Sequence, residues 1–526
     1  MSYTVFIPCA GLGSRLGDLT RYLPKALVSV SLQPAISRVL NQFPADTRFV
    51  IAVGYQGELL KEYLNLVHSG LRIDTVDVEC FEGCGSGLGH TLKCASYLLQ
   101  EPFVFCSCDT LVQGEIPPPD HNWAAWSDTP LELDSFRTLN LDPVSGSVIG
   151  VLEKGAHRAD SRAYIGLCGI ADWREFWSEI NSDAPEVVTQ GESYALQALC
   201  QKGVLKAYPF VWHDTGTPAN LTAAEVAYPP EVQATILPKA NEAIWFVDGQ
   251  VIKFSNDVSF IANRVERVRH LQGFVPTLTG SSKHLYCYRR VEGEVLSRVA
   301  QTTHLDRLLE HCDSFWRPAH LTESQRERFR GDCLKFYRDK TYERVELFYL
   351  NFRQHDNAFV VNGENMPTLT SLLESVDWHG LSDGMPGRFH GDFHFDNILL
   401  TAEGRFSFLD WRQDFCGELS YGDVYYDFAK LNHGLIVNHE LISDGHYDAR
   451  WVGQQLNFGF LRHQRLVECE IAFSDWLNRR GHDVRKMRLL TALVYLNIAA
   501  LHHAPYSLML YGLGKRMLFQ ELKHAH

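Results

Sequence analysis

From Tyr3 to about Lys206, short apolar runs (Val5–Ile7, Phe49–Val53, Phe103–Cys106) alternate with stretches of helical spacing. That rhythm predicts an α/β domain built on a sheet. The periodicity stops at Ala227-Tyr228-Pro229-Pro230 and does not resume before Pro238, because prolines remove amide donors and disfavour helix in the residue before them. The pattern therefore predicts a first domain over 1–228, a linker over 229–238 and a second domain over 239–526. The second domain opens with two alternating strands, Ala243–Val247 and Gln250–Phe254, joined by Asp248-Gly249, a strong hairpin signal. A small β-rich lobe is expected over about 239–300. A mainly helical lobe is expected over about 301–526, with strand-like Asn397–Leu400 and Phe406–Leu409 between helices and amphipathic runs from Trp451 onward. The apolar stretch Leu489–Leu501 is too short to span a bilayer and reads as a buried helix.

Composition narrows the function. The chain has 526 residues, 45% of them hydrophobic, which is enough for two cores, and a formal net charge of −14. No basic block offsets that charge, which excludes nucleic acid as a partner. The partners expected are small molecules: nucleoside triphosphates, an alcohol and its phosphomonoester, with no membrane, and no feature specifies an oligomer. Thirteen cysteines are scattered without paired C-x-x-C spacing. Cys106 and Cys108 lie in an apolar run, as reduced, packed thiols would. The N-terminus enters a strand at once, without a basic region or small-residue cleavage site, so a cytoplasmic location is expected.

The first strand runs into Gly11-Leu12-Gly13-Ser14-Arg15, followed by Thr20, Pro24 and Lys25. Glycines let backbone N–H groups approach phosphate oxygens, and Arg15 and Lys25 can neutralise charge on a departing pyrophosphate. The whole string Ile7–Leu27 resembles the signature of sugar nucleotidyltransferases, departing from it at Pro8-Cys9. Further matches follow in order: Gly87-Leu88-Gly89-His90-Thr91, Cys108-Asp109, Glu153-Lys154, Tyr164-Ile165-Gly166 and Trp212 to Pro218. The resemblance covers roughly 1–225 and implies a Rossmann-like mixed sheet flanked by helices. It implies that Asp109 and Asp214 hold Mg²⁺, that Gly11, Gly13 and Gly89 bound the nucleotide, and that Lys154 and Tyr164 meet the acceptor. A surface lysine and a strand-end cap are the plain alternatives for Lys154 and Asp109. Glycosyltransferases of similar fold carry two aspartates one residue apart, and Ser107 stands where the first would be.

The second constellation is Phe389-His390-Gly391-Asp392-Phe393-His394-Phe395-Asp396-Asn397, followed by Phe408-Leu409-Asp410-Trp411. The Asp392-to-Asn397 spacing is that of a kinase catalytic loop, with Asp receiving the acceptor's proton and Asn binding metal. This segment resembles the aminoglycoside phosphotransferase and choline kinase family over about 236–526, which implies a bilobal protein-kinase-like fold. The resemblance implies that Asn397 and Asp410 are metal ligands and that Lys253, on an alternating strand, faces the ATP phosphates. Glu266 is the expected helix partner of Lys253, although its neighbours Arg264 and Arg267 also suit a solvated face. Asp423 and Asp427 could face an acceptor or cap helices.

A kinase that makes a phosphomonoester, joined to an enzyme that consumes one, suggests sequential chemistry. The expected function is ATP-dependent phosphorylation of a polyol, sugar or amino alcohol, then Mg²⁺-dependent nucleotidyl transfer to give a precursor for surface polysaccharide or lipid head groups. CTP is the expected donor, because Pro24-Lys25-Ala26-Leu27-Val28 looks like cytidylyltransferases of small phosphorylated alcohols. UTP, GTP or dTTP would fit the same loop, and a regulatory N-terminal domain on an active kinase is the alternative.

Overall fold

The computed structural model describes residues 3–129, 133–158, 160–202, 205–230, 232, 241–357 and 359–523. Most of the linker expected over 229–238 lies outside them. The chain divides into two compact units, Met1–Val258 with Thr279–Tyr288, and Ser259–Leu278 with Arg289–His526.

In the first unit the strands are β1 (Thr4–Cys9), β2 (Arg48–Val53), β3 (Arg72–Asp77), β4 (Phe103–Cys106), β5 (Thr110–Gln113), β6 (Trp123–Ser127), β7 (Thr138–Leu141), β8 (Val148–Leu152), β9 (Arg162–Ile170), β10 (Lys206–Pro209) and β11 (Val211–Asp214). The main sheet runs β8-β7-β9-β4-β1-β2-β3, with β6 pairing β9 and β10. Its centre is parallel (β4, β1, β2, β3) and β9 returns antiparallel on β4. This is the mixed α/β sheet expected.

Alternation along the strands feeds two cores. Val5, Ile7, Phe49, Ile51 and Val104 pack on one face, and Phe6, Val50, Ala52, Phe103 and Phe105 on the other. A sheet apolar on both faces must be covered by helices on both. Strand order reverses at β1, between β2 and β4, and such a switch point leaves a crevice beyond the carboxyl ends of the strands. The glycine loop after β1 and Asp109 after β4 both open there.

The hairpin forms as expected: β12 (Glu242–Val247) and β13 (Gln250–Ser255) pair through Val247↔Gln250. Asp248 and Gly249 both take positive φ, 48° and 70°, the requirement of a two-residue type I′ turn. With β14 (Leu278–Ser281) and β15 (Leu285–Arg289) the sheet runs β12-β13-β15-β14. The sequence assigns this β-rich segment to the second domain, yet it shares the core of the first unit. Trp245 is fully buried against Tyr63, ring centroids 5.5 Å apart, and donates its indole N–H to Ser29 Oγ at 2.9 Å. Burial of such a ring contributes about 2–3 kcal/mol. Glu62 accepts from Ser282 Oγ at 2.9 Å and from His284 N at 3.0 Å. Apolar burial and a carboxylate clamp hold the segment there.

The second unit is mainly helical. Its sequence-predicted strands appear as β16 (Ile398–Leu400) and β17 (Phe406–Phe408), paired with each other. The expectation of helix from Trp451 onward is corrected at its start. Tyr447–Val452 and Gln455–Phe460 form a hairpin, with Leu456 buried, before helices Gln464–Arg479, Val484–Ala499 and Tyr506–Lys523. The alternation of Gln455-Leu456-Asn457-Phe458 is the strand signal. Among the described residues no helix is long and apolar enough to cross a membrane.

Candidate active sites

In the first unit β1 ends at Cys9 and the chain turns into the 3₁₀ segment Ser14–Thr20. Gly13 takes φ 67°, and a side chain there would stand 3.0 Å from Lys25 Cβ; only glycine brings the loop this close to Lys25. The Thr20 hydroxyl donates to the Gly17 carbonyl at 3.1 Å, and the Tyr55 hydroxyl donates to the Thr20 carbonyl at 2.9 Å. Both contacts tie the loop down.

Asp109 follows β4 and forms an ion pair with Lys25. Asp214 ends β11, which lies antiparallel to β5 and places Asp214 opposite Thr110. Its carboxylate accepts from Gly216 N at 2.9 Å and from Asn220 Nδ2 at 2.5 Å. A methyl group built at Gly216 would stand 2.9 Å from Asp109 Oδ2, 2.9 Å from Asp214 Oδ1 and 3.1 Å from an Arg15 guanidinium nitrogen. Two carboxylates and a guanidinium from three distant segments thus surround one point. Gly216 keeps that point open.

The charges respond to one another. Burial and then the Asp109 charge push the Asp214 carboxyl up. Burial opposes ionisation of Asp109, but Lys25 and Arg15 outweigh it and lower its pKa. Burial also opposes the Lys25 charge, which Asp109 more than restores. Two crowded carboxylates, one held up by the other, form an oxygen donor set suited to a hard dication, so the residues fit Mg²⁺.

The other expected residues of this unit fall differently. Lys154 follows β8, and its ammonium is lowered by partial burial, then by the charges of Arg15 and Arg137; it sits in the field of the cluster. Gly11 is exposed with open space around it. Gly89 serves packing, since a Cβ there would lie 1.9 Å from the Val187 carbonyl oxygen. Tyr164, expected to meet the acceptor, is instead buried in β9 with its hydroxyl donating to Cys168 Sγ at 3.4 Å.

In the second unit the segment Phe389–Asn397 is held from two sides. Helix α1 (Val258–Arg267) presents Arg267, 1% exposed, which donates to the carbonyls of Phe389 at 2.5 Å, Leu419 at 3.1 Å, His390 at 3.4 Å and Arg412. Helix α2 (Val424–Ile436) presents Asp427, fully buried, which accepts from the amides of His390 and Gly391, both at 2.7 Å, and from Trp316 Nε1 at 3.1 Å. Burial pushes the Asp427 carboxyl up to about 6, against the lowering effect of those amides.

One turn further along α2, Lys430 Nζ meets Asp392 Oδ1 at 2.7 Å. Burial works against an ionised Asp392, but Lys430 and then His394 hold it well below the usual carboxylate range. Asn397 Nδ2 donates to the Asp392 carbonyl at 2.9 Å and to its Oδ2 at 3.1 Å, leaving the amide oxygen for a cation. Leu409 N donates to the Asn397 carbonyl at 2.7 Å, which brings Asp410, in the left-handed region at φ 56°, beside Asn397. An amide oxygen and a carboxylate fit Mg²⁺. Arg264 reaches Asp410 Oδ1 at 3.5 Å.

Two expectations are corrected here. Asp427 does not face an acceptor; it is spent on the amides of His390 and Gly391, and Asp423 is likewise buried, accepting from Tyr337 Oη at 2.7 Å and capping α2. Glu266 pairs with Arg269 on its own helix at 2.8 Å, so the residue that α1 turns inward is Arg267. Lys253 lies buried on β13 opposite Ile244. Sequence reasoning missed Arg267, because a charged residue in a helix reads as solvated by default. Lys430 did carry a signal: Asp427, Lys430 and His433 recur every third residue in a mostly apolar helix.

Arg267→Met should leave several buried carbonyls without donors and cost about 3 kcal/mol or more. The expected result is a lower thermal unfolding midpoint of the C-terminal unit; an unchanged midpoint would show that the guanidinium does not hold the loop.

Known proteins are similar to parts of the chain. Residues 265–451 match the phosphotransferase enzyme family. The uridylyltransferase of Haemophilus ducreyi named UTP--glucose-1-phosphate uridylyltransferase is 25% identical over 130 residues, 20% of this chain and 44% of the relative. A Bacillus subtilis protein named as a probable glucose-1-phosphate cytidylyltransferase is 30% identical over 74 residues, 13% of this chain and 29% of the relative. The chain thus spans less than half the length of either. A UDP-glucose pyrophosphorylase solved with UDP-glucose superposes with TM-score 0.37 and 18% identity, over 43% of this chain and 98% of that one. The Acinetobacter baumanii UDP-glucose pyrophosphorylase gives the same TM-score and identity, over 43% and 93%. The chain thus joins a segment, residues 265–451, that matches the phosphotransferase enzyme family to an N-terminal part similar to glucose-1-phosphate nucleotidyltransferases.

Proposed function

We propose that the chain is a bifunctional enzyme that phosphorylates a small alcohol with ATP and then transfers a nucleotidyl group, from CTP, to the phosphomonoester formed. The observation that carries this reading is that each unit holds its own intact set of carboxylates and cations: Asp109, Asp214, Arg15 and Lys25 in one, Asp392, Asn397, Asp410 and Lys430 in the other. In the second unit the acceptor oxygen attacks the γ-phosphorus of ATP, its proton passes to Asp392, and ADP leaves. In the first unit an oxygen of the phosphomonoester attacks the α-phosphorus in line and pyrophosphate leaves beside Arg15 and Lys25, with Lys154 on the acceptor phosphate. Mg²⁺, held by Asp109 and Asp214 in one site and by Asn397 and Asp410 in the other, would supply charge neutralisation on the phosphates.

The base is assigned from Pro24–Val28 together with the similarity to a cytidylyltransferase; the uridylyltransferase similarity makes UTP the competitor. The product is assigned to the supply of activated units for surface polysaccharide or lipid head groups. Presenting CTP and UTP separately with a panel of phosphomonoesters tests the base, and transfer from UTP alone would overturn it.

The acceptor class is narrowed by charge. Lys340 Nζ and Arg412 Cζ lie 4.4 Å and 4.8 Å from the Phe336 ring centroid, and Arg412 starts beside Gly391 of the catalytic loop. Burial, then Arg412, Arg344 and Lys430, push the Lys340 ammonium down to about 7, with Cys416 the group that opposes them. So many cations near Asp392 favour an alcohol bearing a carboxylate or phosphate over an amino alcohol. Because the Lys340 pKa is depressed, its charge is present below pH 7 and lost as pH rises through 7. The acceptor KM should therefore rise between pH 6 and pH 8, and Lys340→Met should raise KM and flatten that profile; a pH-dependent KM that survives the substitution would remove Lys340 from acceptor binding.

A further inference from the structure

We propose that His394, Asp396 and His439 form a binding site for a transition-metal dication of the zinc class, separate from the oxygen donors Asn397 and Asp410. One ligand atom from each of the three lies within 4.8 Å of the others. Asp396 Oδ2 is 3.5 Å from His394 Nδ1 and 3.3 Å from His439 Nδ1, too long for normal N–H···O hydrogen bonds. Ligands about 2.0–2.1 Å from a tetrahedral zinc ion stand about 3.3–3.4 Å apart, so the observed separations are those of two tetrahedron edges.

The second observation is an unpartnered donor. His394 is 6% exposed, and its Nδ1 has no hydrogen-bond partner. The outer contacts orient the set. Asp396 Oδ1 accepts from Ser297 Oγ at 2.5 Å, fixing the carboxylate with Oδ2 toward the two rings. His394 Nε2 faces Asp392 Oδ2 at 3.6 Å and the Asn397 amide at 3.1 Å. At 3.6 Å Asp392 acts on that ring through its charge, not through a hydrogen bond. His433, 2% exposed with both ring nitrogens unpartnered, has its ring centroid 6.2 Å from that of His394 and 6.4 Å from that of His439, within reach of a side-chain rotation to become a fourth ligand. The carboxylates of Asp392 and Asp396 offset the nearby charge of Lys430. Two imidazoles and one carboxylate select zinc, cobalt or nickel over magnesium, and the partly exposed His439 gives the ion an entry from solvent.

The test uses the chelator-treated full-length protein titrated with Co²⁺, followed by Zn²⁺. The expected result is one equivalent of Co²⁺ with the visible absorption of a tetrahedral ion, displaced by Zn²⁺, and weakened at least about tenfold in Asp396→Asn and in His439→Gln. Metal-free thermal unfolding of His439→Gln should match the wild type, since that side chain is 40% exposed. Wild-type affinity in both variants, absence of a tetrahedral spectrum, or near-ultraviolet thiolate bands from the thirteen cysteines would each overturn the proposal.

Discussion

Asp392→Asn should lower ATP-dependent phosphorylation of the acceptor alcohol by about 10²- to 10⁴-fold, the contribution of a positioned general base, while nucleotidyl transfer onto a supplied phosphomonoester is unchanged. Asp392 is held ionised by Lys430 at 2.7 Å and is fixed by Asn397, so a neutral amide in its place keeps the shape but cannot take the hydroxyl proton. It also leaves Lys430 without its carboxylate in a buried site. Phosphorylation at wild-type rate would remove Asp392 from the chemistry, and loss of both activities would show that the two sites are not separable.

The second large effect is the mirror image. Asp109→Asn should reduce nucleotidyl transfer by about 10²-fold or more, in the range seen when one group of a preorganised charge-stabilising site is removed, and should leave phosphorylation intact. Asp109 is the ion partner of Lys25 and lies with Asp214 and Arg15 around one point. Its removal strips a ligand oxygen from the dication site and frees Lys25 from its fixed position. It also withdraws the charge that, after burial, pushes the Asp214 carboxyl up, so Asp214 should ionise at lower pH in the variant. Full transfer activity in Asp109→Asn would mean that the carboxylate pair does not serve the reaction.

The parts of the molecule that obey local rules were legible from the sequence. The alternation of β1, β2 and β4, the Asp248-Gly249 turn and the strands flanking Asn397 follow from side-chain period and turn chemistry, which are properties of neighbouring residues. Arg15, Lys25, Asp109 and Asp214 were legible as a group only because a resemblance tied together segments far apart in the chain, Lys25 and Asp109 being 84 residues apart; their meeting around Gly216 is a fact of tertiary structure. The same distance defeated other assignments. Whether Arg267 or Glu266 turns inward depends on which face of α1 meets the catalytic loop, and two adjacent charges carry no mark of that. Asp427 reads equally well as a ligand-facing carboxylate or as an acceptor for loop amides until the loop is seen above it. The Tyr447–Phe460 hairpin was missed because its alternation is short and lies beside long helices. The β12–β13 hairpin was found, but its place in the core of the first unit rests on Trp245, Tyr63 and Glu62, which the linear pattern does not connect.

The most direct test of the account is a mass-spectrometric scan of reactions containing the full-length protein, Mg²⁺, ATP, one further nucleoside triphosphate at a time and a panel of small alcohols that includes carboxylated and phosphorylated members. The account predicts a CDP-linked alcohol that forms only when ATP and CTP are both present and the alcohol carries an acidic group. A phosphorylated alcohol with no nucleotide adduct, both from the alcohol and when its phosphomonoester is supplied directly with each triphosphate, would contradict it and leave a kinase whose N-terminal unit does other work.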